Sequence, residues 1–265
     1  MDAEAVIRSR GNPIIKRIGA VRAGLEPATI VLEGDRLVDD ARRVGLALEC
    51  ILLAEDRLER AGELERSGAH VRLVDRELMA KVSVLKSPPG VLALCATPAS
   101  IDVASLSLDT HTLLLVVAGV ADPGNLGALA RSAEAFGAHA LLVARGGASP
   151  WNDKALRGSM GSLLRIPVHF GSDAVALARE LASRNVRQAC AATRGGKSPR
   201  DFDWRGPLAL WVSAETGAMP ASTRSFEPVT IEMAGQVESL NVAVATSILL
   251  FASGRAASHE AEHDG

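Results

Sequence analysis

Residues 113–143 read LLLVVAGVADPGNLGALARSAEAFGAHALLV. Leu113–Ala118 is a continuous apolar run, the pattern of a strand buried on both faces of a parallel sheet. A Gly/Pro/Asn loop follows from Ala121 to Gly127. A helix is expected from about Ala128 to Phe136, and a second strand over Ala140–Val143. Strand, loop, helix and strand in that order form a βαβ unit, which predicts an open, mostly parallel sheet covered by helices. Downstream the alternation continues. Helices are expected at Lys154–Ser159 and Asp173–Arg184, with strands at Arg165–His169, Arg187–Ala192, Leu208–Val212 and Val229–Glu232. An amphipathic helix from Ser239 to about Ala256 closes the pattern.

Upstream, residues 28–96 carry a shorter α/β pattern. Thr29–Glu33, Cys50–Ala54, His70–Val74 and Gly90–Ala96 read as strands, and Arg36–Val44 and Leu58–Ser67 as helices. Lys86–Gly90 (KSPPG) breaks the chain before the last strand. Residues 97–112 (TPASIDVASLSLDTHT) have the composition of a linker. The expected division is an N-terminal domain over 1–104 and a larger one over 105–257. A polar tail from Ser258 is expected to be disordered.

The chain has 265 residues, with 29 Lys+Arg against 31 Asp+Glu and a formal net charge of −2. This balance excludes a uniformly basic nucleic-acid coat protein and an acidic disordered one. Charge is nevertheless local. Residues 5–24 carry Arg8, Arg10, Lys16, Arg17 and Arg22 with no acid, and residues 145–200 hold ten cations against three acids. A polyanion is drawn to such zones, although each also reads as a solvated helix face. Aromatic residues are 3% and Tyr is absent, which argues against a stacking platform for single strands. The three cysteines, at 50, 95 and 190, form no C-x-x-C. A disulfide framework and a zinc ribbon are not expected, nor is any metal centre, and a reducing cytoplasm is the natural compartment. MDAEAVIRSR has no apolar signal core, and the longest apolar run is too short to span a bilayer.

Three segments could carry chemistry. Asp122–Gly127 (DPGNLG) lies between an apolar strand and a helix, where glycines admit a ligand to the backbone. It lacks the G-x-G-x-x-G dinucleotide spacing. Arg131 follows Gly127 by one turn in a run of small apolar residues. A surface salt bridge, for instance to Glu134, is the plainer explanation of it. Lys154–Ser162 (KALRGSMGS) alternates cations, hydroxyls and glycine, suiting phosphate contact or a capped helix end. Ser213–Gly217 (SAETG) and Ile231–Asn241 (IEMAGQVESLN) each follow a strand. Ser239 is expected to cap the last helix, with Asn241 inside its first turn.

In this order the segments resemble the SpoU/TrmH branch of the SPOUT RNA methyltransferases. Asn125–Ala133 (NLGALARSA) is similar to N-x-G-x-x-x-R-x-A, Arg157–Ser162 (RGSMGS) to R-x-S-x-G-A, and Glu238–Ala245 (ESLNVAVA) to x-S-L-N-V-x-x-A. Ser9–Pro13 and Ile30–Val38 resemble, more weakly, the RNA-substrate-binding domain of many members. The resemblance implies an α/β trefoil knot in the C-terminal domain and a homodimer. It implies methyl transfer from S-adenosylmethionine to a ribose 2′-hydroxyl in rRNA or tRNA; the separate N-terminal domain tilts the expectation to 23S rRNA, with a tRNA ribose as the alternative. Cofactor contacts are implied at Thr193, Ser213, Gly217, Ile231, Met233, Ser239 and Leu240. Catalytic or positioning roles fall on Arg131, Asn125, Glu215 and Asn241, and RNA contacts on Arg10, Asn12, Lys16, Arg157 and Ser159. A guanidinium does not readily surrender its proton, so Arg131 is expected to act as an electrostatic clamp. Two departures stand out: Ser213 replaces the family's usual glycine, and Glu232 replaces the proline of I-P-M. They leave room for an alternative, an RNA-binding member with weakened cofactor binding and no turnover.

Overall fold

The computed structural model describes residues 6–213 and 225–254. Glu215, Gly217 and the tail from Ser258 lie outside the described residues. The chain divides into two compact units. One runs to Ala99 and takes in Trp151–Arg157; the other holds Ser100–Pro150 and continues from Gly158.

The first unit contains strands β1 (Thr29–Glu33), β2 (Leu48–Ala54), β3 (Val71–Val74) and β4 (Val91–Ala96). Their order is β1-β4-β2-β3, antiparallel except for the β2–β3 pair. Helices α1 (Pro13–Arg22), α2 (Asp35–Arg43), α3 (Leu58–Arg66) and α4 (Arg76–Val82) accompany the sheet. α4 is absent from the sequence reading; its seven residues are too few for periodicity to announce, but Asp75 caps it by accepting from Leu78 N. α1 begins at Pro13 behind Asn12, whose Oδ1 accepts from Ile14 N at 3.0 Å. Ile15 and Ile18 bury one side of it.

Cations of residues 5–24 are largely consumed inside this unit. Arg8 pairs with Glu55 and Asp75, and Arg17 with Glu26 and Glu49. Arg22 bonds Glu33 at 2.9 Å and Asp153 at 2.8 Å, and also donates to the Val82 carbonyl. Arg10 and Lys16 are exposed and form no ion pair among the described residues.

The second unit is built on six parallel strands: β5 (Leu113–Ala118), β6 (Ala140–Val143), β7 (Val168–Phe170), β8 (Arg187–Ala191), β9 (Leu208–Ser213) and β10 (Glu227–Val229). Their order is β10-β8-β9-β5-β6-β7, and every pair is parallel. β5 and β9 are central, which is why Leu113–Ala118 is buried at every position. Trp211 of β9 is fully buried, its Nε1 donating to Gln188 Oε1 at 3.1 Å. Helices α5 (Pro123–Ala135), α7 (Ser162–Arg165), α8 (Ala174–Ser183) and α9 (Val242–Ala252) belong to this unit. α6 (Asp153–Gly158) spans the point where the two units divide.

Several boundaries differ from expectation. α5 starts at Pro123, not Ala128. Asp122 accepts from Gly124 N at 2.9 Å and Pro123 fills the first helical position, so the cap overrides the turn-like composition. The expected strand at Arg165–His169 begins only at Val168, because Ser162–Arg165 closes one helical turn. β10 is Glu227–Val229, upstream of the expected Val229–Glu232. The last helix is capped by Asn241, not Ser239: Asn241 Oδ1 accepts from Ala243 N at 2.9 Å and Val244 N at 3.4 Å.

Candidate active site

The strand registers set Ala118 beside Ser213, Cys190 beside Trp211, and Val229 beside Ala191. The carboxyl ends of β8, β9 and β10 therefore finish together. In open α/β sheets this edge, outside the carboxyl ends, is where ligands bind. A cleft of about 350 Å³ opens there, lined by Ala191–Arg194, Val212, Ser213, Val229, Ile231, Met233, Ser239, Leu240 and one side of α9. The α9 residues are Val242, Ala245, Thr246 and Leu249.

Six sequence-predicted cofactor residues line this one cleft: Thr193, Ser213, Ile231, Met233, Ser239 and Leu240. The seventh, Gly217, lies outside the described residues, as does Glu215. Sequence reasoning missed Arg194, Val212, Val229 and the α9 side of the wall. Arg194 follows the expected end of β8, so its place beyond a strand end was the available signal. Thr246 carried no signal; it is fully buried, and its hydroxyl donates to Val242 O within the helix.

The two departures from the family pattern sit differently. Ser213 is half-buried on the cleft wall. Glu232 is exposed and does not line the cleft, although Ile231 and Met233 on either side do. The glutamate thus points its charge to solvent and leaves the cleft open.

α5 ties the three motifs together. Its Asn125 Oδ1 accepts from Asn241 Nδ2 at 3.2 Å, and Ser132 Oγ lies 2.7 Å from Ser247 Oγ of α9. Phe136 then meets Phe251 edge-on at 5.9 Å. Three successive contacts in the same order make α5 and α9 parallel neighbours that start together. A second stripe of α5, at i, i+3, i+7 and i+10, is Gly124, Gly127, Arg131 and Glu134. A Cβ on Gly158 would sit 3.3 Å from Gly124 O and 3.5 Å from Gly127 Cα, so small residues allow this close crossing. Further along, Arg165 grips both oxygens of Glu134, at 2.6 and 2.8 Å.

That ion pair removes Glu134 as the explanation for Arg131. Arg131 is exposed and makes no hydrogen bond or ion pair among the described residues. It does not line the cleft; Asn241 stands between Leu240 and Val242, which do. Ser159 is fully buried, so its hydroxyl is turned into the protein and not presented to RNA. Arg157 is half-buried, with Nη1 4.0 Å from Asp153 Oδ2. Asn12 spends its side-chain oxygen on capping α1. Burial pushes the Cys190 thiol in β8 upward, and Cys190 does not line the cleft. No group of three His, Cys, Asp or Glu side chains suited to a metal occurs among the described residues.

Residues 112–251 match the SpoU rRNA methylase family model, and residues 12–93 match an MRM3-like substrate binding domain. The chain belongs to the SpoU rRNA methylase family. The 23S rRNA (guanosine(2553)-2'-O)-methyltransferase RlmP of Bacillus subtilis (strain 168) is 28% identical over 239 residues, 89% of this chain and 92% of that protein. The 23S rRNA (guanosine-2'-O-)-methyltransferase RlmB of Bordetella pertussis is 32% identical over 198 residues, covering 73% of this chain and 81% of that protein. Among solved structures, the SpoU methyltransferase AviRb from Streptomyces viridochromogenes, in complex with AdoMet, superposes with a TM-score of 0.82. It is 25% identical and covers 94% of this chain and 100% of its own. The chain of this SpoU family member therefore comprises a smaller N-terminal α/β substrate-binding domain followed in sequence by a SPOUT methyltransferase domain.

Proposed function

We propose that this chain transfers a methyl group from S-adenosylmethionine to a ribose 2′-hydroxyl of 23S rRNA. The observation that carries the reading is the convergence of three chain segments on one cleft at the strand ends, with Asn241 beside it bonded to Asn125. The lining suits the cofactor. Val212, Ile231, Leu240 and Met233 offer apolar contact for a ring system, and Thr193, Ser213 and Ser239 offer hydroxyls. The volume falls within the range of small-molecule sites, about 300–1,000 Å³. An open cleft with Glu232 outside it also favours turnover over an RNA carrier that has lost its cofactor.

S-adenosylmethionine, when bound, supplies an electrophilic methyl on a sulfonium. The rest is the work of the chain. Asn241 braces the start of α9 and holds Asn125, which fixes the first turn of α5. Arg131, as a permanent cation, attracts the substrate ribose–phosphate and stabilises negative charge growing on the 2′-oxygen. The hydroxyl proton leaves to solvent or to a substrate phosphate. Arg10 and Lys16, exposed on the first unit, add phosphate contacts.

We further propose a homodimer. Val244, Ile248 and Phe251 of α9 recur at helical spacing and are 49%, 39% and 73% exposed, an apolar stripe that a second copy would cover. A cytoplasmic location accords with an rRNA substrate and with three free thiols. No helix among the described residues is long and apolar enough to cross a membrane.

The decisive experiment replaces Arg131 by Ala and follows labelled methyl incorporation into 23S rRNA. Turnover should fall by about 10²-fold or more, while calorimetric affinity for S-adenosylmethionine and the melting temperature stay unchanged. Methylation at the wild-type rate would remove Arg131 from the chemistry. A wild-type protein that binds RNA but no cofactor would leave only the carrier reading.

A further inference from the structure

Most cations of residues 145–200 are held by acceptors of the fold. Arg145 donates to Gly171 O, Arg165 grips Glu134, Arg184 donates to the carbonyls of Val103 and Leu106, and Arg187 pairs with Glu227. Among the described residues Arg179, Arg194, Lys197 and Arg200 are not so held, and of these it is Arg194 and Lys197 that flank Gly195 and Gly196 beyond β8. Both are exposed, and neither charged end has a hydrogen bond or ion pair among the described residues. They occupy the segment that leaves β8 at its carboxyl end, and Arg194 lines the cleft.

This segment is pinned, not slack. Gly196 N donates to Thr230 Oγ1 at 2.9 Å and Lys197 N to Pro228 O at 3.0 Å, while Thr230 N donates to Lys197 O at 2.9 Å. A Cβ at Gly196 would lie 2.6 Å from the Pro228 carbonyl carbon and oxygen, so only glycine permits the contact. The backbone under the two cations is thus clamped to the end of β10, whose Val229 is also on the cleft wall. The acids next in sequence to the two pinned segments are Asp201 and Glu232, both exposed and without an ion pair among the described residues, with Arg200 preceding Asp201. Charge held on a fixed backbone meets an anion at a lower ordering cost than charge on a mobile loop.

We propose that Arg194 and Lys197 form a phosphate clamp that seats the RNA backbone at the mouth of the cofactor cleft. This rests on the RNA methyl-transfer reading and adds a substrate-positioning surface on the catalytic unit itself. The partner is a phosphodiester chain. The carboxylate of the cofactor is the competing anion, and the test separates the two.

The full chain, as wild type, Lys197→Ala, Lys197→Arg and Arg194→Ala/Lys197→Ala, is titrated with protein-free 23S rRNA over a salt series and with S-adenosylmethionine by calorimetry. Loss of each phosphate contact should make log K against log salt shallower by about 0.7–0.9 and raise the RNA KM several-fold. Lys197→Arg should restore both, and Lys197→Ala should keep cofactor affinity and melting temperature. An unchanged salt slope and KM in the double variant overturns the clamp. So does a Lys197→Ala protein that loses cofactor affinity but keeps RNA binding, which would hand the cation to the cofactor carboxylate. Failure of the parent reading looks different: the wild type itself would then bind RNA with the expected slope yet transfer no methyl group.

Discussion

Among the described residues, Arg22 and Glu33 form the least solvent-exposed ion pair of the first unit, with side chains 15% and 2% accessible. Ser83 Oγ and Val84 N also reach the Glu33 carboxylate. Removing one partner strands the other charge away from water. Arg22→Ala should therefore cost about 3–5 kcal/mol in urea unfolding, and adding Glu33→Gln should recover part of it. Cys95, fully buried in β4, gives a pH-dependent prediction. Burial, and then the nearby charge of Glu49, push its thiol up to about 11 from an ordinary 9.0. The folded state holds that proton more tightly than the unfolded state. Its contribution is thus constant below pH 9 and is lost as pH rises towards 11. Cys95 should resist thiol reagents at pH 8 in the native protein and react once it is unfolded.

α9 shows how one side chain serves two elements. Asn241 accepts from two amides at the helix start and donates to Asn125. Asn241→Ala should lower stability by about 1 kcal/mol, the usual worth of a lost N-cap, and also loosen α5. Asn241→Asp keeps the acceptor and loses the donor. It should regain most of the melting temperature but not methyl-transfer activity, which separates the cap from the bridge. Had Ser239 been the cap, as the sequence suggested, neither outcome would follow. The reason for the shift is tertiary. Ser239 and Leu240 are drawn into the cleft wall, so the chain turns helical only after Asn241.

For the whole molecule, the exposed stripe of α9 bears on assembly. Phe251→Asp places a charge in its most exposed apolar position and should convert a dimer to a monomer in light scattering. A wild type that is already monomeric at high concentration would refute the proposed homodimer. The βαβ rhythm from Leu113 onward announced the parallel sheet, because strands buried on both faces must be apolar throughout. The three motifs were legible as short patterns of glycine, hydroxyl, amide and cation. Strand order was not legible, since any of several orders satisfies the same alternation.

What the sequence settled unaided is local. It includes the apolar strands, the family pattern around Asn125, Arg157 and Asn241, and the zones of excess positive charge. These depend on side-chain chemistry and spacing within a few residues. Tertiary structure decided the rest. It chose which arginines are neutralised and which stay open, brought three strand ends to one cleft, turned Ser159 inward, and made Asn241 the cap that links α9 to α5. Each of those depends on contacts between residues far apart in the chain, where no periodicity reaches.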